Sequence, residues 1–175
     1  LQMVAKAEIF DAFNLLRIVQ LINKSNQFNL TTIRYTESDI VSKMKDDRFC
    51  CRYSYLKDIF GENGLISVVI LEKQPVSVLK IDTWVMSCRV LSRGMEDFIA
   101  DDIVAIAREA GCEKVQGAYI QTKKNALVHN LDRRLNFDLI AEEDQTTTWE
   151  LNLNGELPQY ECYISMEKID TKTIT

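Results

Sequence analysis

The stretch Leu65–Glu72, reading LISVVILE, constrains the fold more than any other part of the chain. Its apolar run is nearly unbroken, so it has no polar face to turn toward water. Such a strand belongs in the middle of a sheet that is covered on both sides. Before it, Gly61-Glu62-Asn63-Gly64 predicts a tight turn, since Asn-Gly accepts positive φ at both central positions. Arg48–Leu56 then reads as the preceding strand. After it, Lys73-Gln74-Pro75 turns the chain, and Val76–Val90 reads as a long β segment, broken or bulged near Asp82.

The layers that cover such a sheet must come from the other segments. Met95, Phe98, Ile99, Ile103, Ile106 and Ala110 recur at three- and four-residue spacing, an amphipathic helix that Gly111 ends. Thr36, followed by Glu37 and Asp39, predicts a helix start in which Thr36 caps the amide at position 39, and the helix runs to about Lys45. Apolar positions across 4–25 are spaced roughly as in a helix, with Asp11 as the cap of a second helix over 12–24. Residues 25–32 form a polar loop anchored by Phe28 and Leu30, leading into a short strand over 32–35. That loop either plugs a groove against the sheet or lines a pocket. Lys114–Ile120 reads as a strand, and Thr122 caps a helix over 123–134. Phe137–Glu142 and Thr147–Leu153 close the sheet, and the alternation of Tyr160, Cys162 and Ile164 suggests an edge strand. The order predicts an α/β (α+β) fold with a mixed central sheet flanked by helices.

Charge and composition exclude several functions. Lys and Arg total 21 against 26 Asp and Glu, a net charge of −5, and no basic run of five occurs. A nucleic-acid binder needs a basic face that this chain lacks. No run of about 18 apolar residues is present, so no membrane span is expected. The start, Leu1-Gln2-Met3-Val4, lacks the layout of a signal peptide, and we read the chain as a fragment whose natural N-terminal neighbour is missing. Five cysteines without a CxxC, beside a single histidine, argue against structural zinc and for reduced thiols in a cytoplasmic protein.

The segment with chemical content is Arg89-Val90-Leu91-Ser92-Arg93-Gly94, between a strand and a helix. The amides at such a junction have no intrahelical partner, and with the helix dipole they can hold an anion. Gly94 lets the backbone approach a ligand. Glu96 and Asp97 suit the dipole but set like charges against that anion.

The spacing of Arg89, Ser92 and Gly94 resembles the Arg/Gln-x-x-Gly-x-Gly/Ala pattern with which GNAT acyltransferases cradle the pyrophosphate of coenzyme A, Ser92 standing at the first Gly. Lys124-Asn125-Ala126 through Arg134-Leu135-Asn136-Phe137 is similar to the later GNAT segment, in which an Asn opens a helix ending in Leu-Gly-Phe, with Asn136 in place of that Gly. Over residues 14–153 the chain further resembles the C-terminal part of FkbH-like proteins. The residues that carry this are Arg17–Thr32, Leu56–Leu65, Asp82–Glu96, Thr122–Phe137 and Thr147–Leu151.

The resemblance implies a GNAT-like domain over 31–175, preceded by a helical linker, 1–30, from a phosphatase-like (HAD) N-terminal domain whose Asp-x-Asp-x-Thr motif this chain lacks. It implies coenzyme A, acyl-CoA or phosphopantetheine as cofactor. The partner is an acyl carrier protein or a small acyl acceptor, in the biosynthesis of methoxymalonate-type polyketide extender units. The residues implied in cofactor binding are Val85, Ser87, Arg89, Val90, Leu91, Ser92, Arg93, Gly94, Met95 and Asn125. The backbone of 85–88 is expected to pair with the pantetheine amides as an added strand. Many GNAT enzymes carry a proton-donating Tyr where this chain has Asp132, and an ionised Asp cannot donate a proton. Asp132 and His129, a possible general base, are the candidate catalytic residues. Ser92, Asp132 and Asn136 all depart from the family pattern within the site, which leaves open a non-catalytic module that docks a carrier protein or a domain. A hydrolase using Cys88 and His129 is a third reading. Lys123-Lys124 and Arg133-Arg134 form a basic cluster, read either as a solvated face or as a dock for an acidic carrier protein or for the phosphates of coenzyme A.

Overall fold

A computed structural model describes residues 3–160 and 164–166 of the chain. Eight strands form one mixed sheet: β1 (Met3–Ile9), β2 (Phe49–Asp58), β3 (Gly61–Gln74), β4 (Val78–Met86), β5 (Lys114–Ile120), β6 (Asp138–Glu143), β7 (Thr146–Asn152) and β8 (Ile164–Met166). Their order is β6-β7-β5-β4-β3-β2-β1-β8. The β4–β5 and β1–β8 pairs are parallel, and the others are antiparallel.

The apolar run near the middle of β3 behaves as its composition demands. Val68 and Ile70 enter a core under α1 (Leu15–Lys24) and α2 (Glu37–Lys45). Val69 and Leu71 enter the opposite core, under α3 (Met95–Glu109). Ile18 and Ile22, one turn apart on α1, are fully buried, and each contributes about 1.5–3 kcal/mol by leaving water. The Thr36 cap forms as expected. Its hydroxyl accepts from the Asp39 amide at 3.2 Å, and the Asp39 carboxylate accepts from the Thr36 amide at 2.8 Å.

Four local expectations are corrected. Residues 3–9 are not helical. They form β1, because pairing with residues 52–57 of β2 satisfies every second backbone group and buries Ala5. The hairpin between β2 and β3 turns at Ile59 and Phe60, since Asp58 pairs with Gly61. Gly61–Gly64 therefore lies in the strand, beside irregular register between Tyr55 and Lys57. Residues 32–35 form no strand. The helix expected over 123–134 is a 3₁₀ turn (Ala126–Val128) followed by one α turn, α4 (Leu131–Arg134). Past that turn, Asn136 takes φ 62°, the left-handed position that closes a helix end. The edge strand is β8, parallel to β1, and Cys162 lies outside the described residues. No helix among the described residues is long and apolar enough to cross a membrane.

Ile22→Ala should destabilise the fold by about 2–5 kcal/mol, because its packing neighbours cannot fully close the gap. Urea denaturation should read this as a lower midpoint with an unchanged slope.

Candidate functional site

Strands β4 and β5 pair over only three residues, Val78–Lys80 with Lys114–Gln116, and then diverge. Asp82, at the register shift between Ile70 and Leu71, is the bulged residue expected from the sequence. Diverging parallel strands expose backbone groups on both arms of the fork, and buried groups of this kind must find partners.

The chain itself supplies them. The segment Phe28–Thr31, from the loop between α1 and α2, lies in the fork. The Met86 amide donates to the Phe28 carbonyl at 3.1 Å, and the Ile120 amide donates to the Leu30 carbonyl at 2.9 Å. Asn29 bridges Val85, and the Thr31 hydroxyl donates to the Asp82 carbonyl at 3.1 Å. Asn125 is fully buried and locks this arrangement. Its amide nitrogen donates to the Asn29 and Ile120 carbonyls at 3.0 and 2.9 Å, while its oxygen accepts from the Thr122 amide at 2.8 Å. Of the two readings of this loop, the plug describes the fork: the pairing expected between 85–88 and a pantetheine arm is already made by the chain at Val85 and Met86. Phe28 and Leu30 place their side chains in the core beneath α3, where Phe28 packs on Trp84 at 5.8 Å.

At the far end of β4, Ser87, the 3₁₀ turn Cys88–Val90 and Leu91–Gly94 lead into α3. Ser92 (φ 60°) and Gly94 (φ 82°) are both left-handed, which folds the turn back on itself. Ser92 carries a side-chain cost of about 1 kcal/mol there, a cost that a glycine lacks. The Phe98 amide donates to the Gly94 carbonyl at 3.2 Å, so the amides of Met95, Glu96 and Asp97 have no acceptor within the helix.

This corner opens into a cavity of about 850 Å³. Leu91, Ser92, Arg93 and Gly94 form one side, Leu127, Val128, Asn130, Leu131 and Arg134 face them, and Phe28 is part of the wall. The hairpin tip, with Asp58 and Phe60, covers another side. The charges here are largely committed. Arg93 pairs with Asp58 at 2.8 Å, and Arg134 lies 3.5 Å from Asp97. The Asp58 carboxyl is held below its usual range by the Phe60 amide first, then by Asn63 and Arg93. The buried Glu96 adds a third carboxylate to the lining.

The other expected site residues fall outside this lining. Val85, Ser87, Arg89, Val90, Met95 and Asn125 sit beside or behind it, and Arg89 is exposed with its Nε donating to the Ser87 hydroxyl at 3.3 Å. His129 is exposed, near Asn130 Oδ1 at 3.0 Å and edge-on to Tyr119. Asp132 is buried and is not among the residues lining this cavity. It faces Gly117 of β5, where an added Cβ would stand 3.1 Å from Asp132 Oδ1. Its Oδ2 has no hydrogen-bond partner, and burial pushes its carboxyl up to about 6. Cys88 lines a second cavity, beside Lys123 and Lys124, to which His129 does not contribute, so the hydrolase pairing finds no support. Asp58 and Phe60 were not anticipated in the cavity wall, whereas Phe28 lies there as the pocket-lining reading of its loop allowed.

A strand order with a β4–β5 fork and a helix rising from the end of β4 has well-known counterparts. The fold is that of the GNAT acetyltransferases. The GNAT domain of S. lividans PAT matches with a TM-score of 0.65 at 14% identity, covering 84% of this chain and 89% of that one. The ribosomal-protein-S18-alanine N-acetyltransferase from Escherichia coli matches at 0.62 with 10% identity, covering 92% and 100%. A Bacillus subtilis acetyltransferase in complex with CoA matches at 0.60 with 14% identity, covering 85% and 99%. No family model and no curated protein matches the sequence. In this GNAT fold the fork is filled from within by residues 28–31.

Two outcomes are expected. Between about pH 4 and pH 6 the folded chain holds the Asp132 proton more tightly than the unfolded chain does. Native stability therefore falls as pH rises through that window. Asp132→Asn removes this loss, so from pH 4 to pH 7 the variant should gain about 3 kcal/mol relative to the parent chain in denaturation curves. Ser92→Gly should raise stability by about 0.5–1 kcal/mol by relieving the left-handed serine, seen as a higher melting temperature in calorimetry.

Proposed function

We propose that this chain is the GNAT-like acyltransferase domain of an FkbH-like protein, and that it receives an acyl thioester on a phosphopantetheine arm delivered by an acyl carrier protein. The reading belongs with polyketide extender-unit biosynthesis of the methoxymalonate type, beside a phosphatase-like domain on the N-terminal side. The observation that carries it is the cavity of about 850 Å³ at the β4–α3 corner, with the turn 91–94 as one wall. A cavity of this size takes a drug-sized ligand.

The cavity's charge favours a carrier-borne arm over free coenzyme A. Coenzyme A brings a pyrophosphate and a ribose phosphate, whereas a carrier-borne arm brings one phosphodiester. Three carboxylates, Asp58, Glu96 and Asp97, line the corner, and both of its arginines already face carboxylates. One phosphodiester fits against the amides of 93–97 with less repulsion than the full nucleotide does. The uncharged arm would lie along Leu91, Leu127 and Leu131 and end against Phe28. The chain's contribution to acyl transfer is then chiefly positioning, with the thioester held against a fixed wall.

The filled fork favours a second reading, a non-catalytic module that docks a carrier protein. Calorimetric titration separates the two. The first reading expects saturable binding of acetyl-pantetheine and of an acetylated holo carrier protein, weakened at least tenfold by Gly94→Asp, with acetyl-CoA binding more weakly than the carrier. The second expects carrier binding that does not depend on the acylated arm and survives Gly94→Asp. An absence of binding by acetyl-pantetheine, acetyl-CoA and acyl carrier protein at millimolar concentration overturns both.

A further inference from the structure

Phe28 is a shared wall. On its other side the described residues enclose a second cavity, of about 670 Å³, formed by the end of α1, the loop 25–27, the end of β4 and the turn after β5. Three exposed lysines, Lys24, Lys123 and Lys124, are among its lining residues, together with Asn26, Ser87 and Cys88. No carboxylate lines it. Among the described residues none of the three lysines forms an ion pair. The contrast with the first cavity is direct, since both arginines there face carboxylates. It also runs against the whole chain, whose net charge is −5. Like charges gathered around one concavity raise the local positive potential, and such a cleft concentrates anions. Lysine ammoniums, as point charges with rotatable donors, suit phosphate and carboxylate oxygens.

We infer that this second cavity binds the anionic group, a carboxylate or a phosphate monoester, of a small organic acyl acceptor. Phe28 lines both cavities; in acyl transfer the acceptor's amine or hydroxyl forms the new bond to the thioester carbonyl carbon, the C–S bond breaks and the pantetheine thiol leaves with the acceptor's proton, which requires that ring to move aside. The role as acceptor site rests on the acyl-transfer reading above, whereas anion binding rests on the lysines alone.

Cys88 offers a probe. It lines this cavity and is exposed, while Cys50, Cys51 and Cys112 are buried. Alkylation at Cys88 is followed by peptide mass spectrometry with anionic iodoacetate and neutral iodoacetamide, each referenced to glutathione. The expected result is an iodoacetate preference in the parent chain that falls at least threefold in the double variant Lys123→Gln, Lys124→Gln, with the iodoacetamide rate within twofold. Millimolar malonate or inorganic phosphate should slow labelling of the parent chain but not of the double variant, and the stronger protector tells carboxylate from phosphate. An equal reagent preference in both proteins, or no protection by either anion, overturns the anion site. Protection in a parent chain that binds no acetyl-pantetheine keeps the anion site and removes its role as acceptor site.

Discussion

The divergence of β4 and β5 is the constraint on which the rest of this structure depends. Two parallel strands that separate inside a domain leave amides and carbonyls facing each other across a gap too wide for direct bonding. Those groups cannot remain unpaired in a core. Here the gap is closed by Phe28–Thr31, through bonds to Asp82 and Met86 on one arm and to Ile120 on the other. Asn125 then ties the inserted segment to β5 through the Asn29 and Ile120 carbonyls. The placement of α1, the wall between the two cavities and the burial of Trp84 under Phe28 all follow from that closure.

The same closure divides the chemistry of the molecule. On the α3 side lies a corner whose cations are engaged by carboxylates, suited to a long, mostly neutral ligand. On the α1 side lies a cavity lined by Lys24, Lys123 and Lys124, which form no ion pair among the described residues. Phe28 belongs to the walls of both spaces. Asp132, which sits against Gly117 rather than in either space, contributes to the acid–base balance of the core more than to that of the cavities.

Much of the sheet was legible from the residues. The two-faced character of Leu65–Leu71, the Thr36 cap, the bulge at Asp82 and the α3 stripe each rest on short-range rules, and each appears where those rules put it. The first strand was missed because Val4, Ile9, Phe10 and Phe13 carry a spacing compatible with a helix. Only pairing with β2, a contact some forty residues away, decides otherwise. The hairpin turn was misplaced for a related reason: Asn63-Gly64 satisfies the local preference for a turn, yet the register of β2 against β3 puts the reversal at Ile59 and Phe60. The turn at 91–94 was found in the sequence because glycine at a strand–helix junction has a local meaning. Phe28 was legible only as an anchor of a loop with two open roles, plug or pocket lining, since one aromatic residue in a polar loop gains its meaning from the two strands it separates.

The bond between Asn125 and the Asn29 carbonyl spans 96 positions of chain. Loop closure over such a distance is entropically expensive until the intervening strands are assembled. The inserted segment draws its partners from both β4 and β5, so its seat exists only where those strands stand side by side. Seating residues 28–31 therefore ties the loop after α1 to the end of β5 and the turn that follows it.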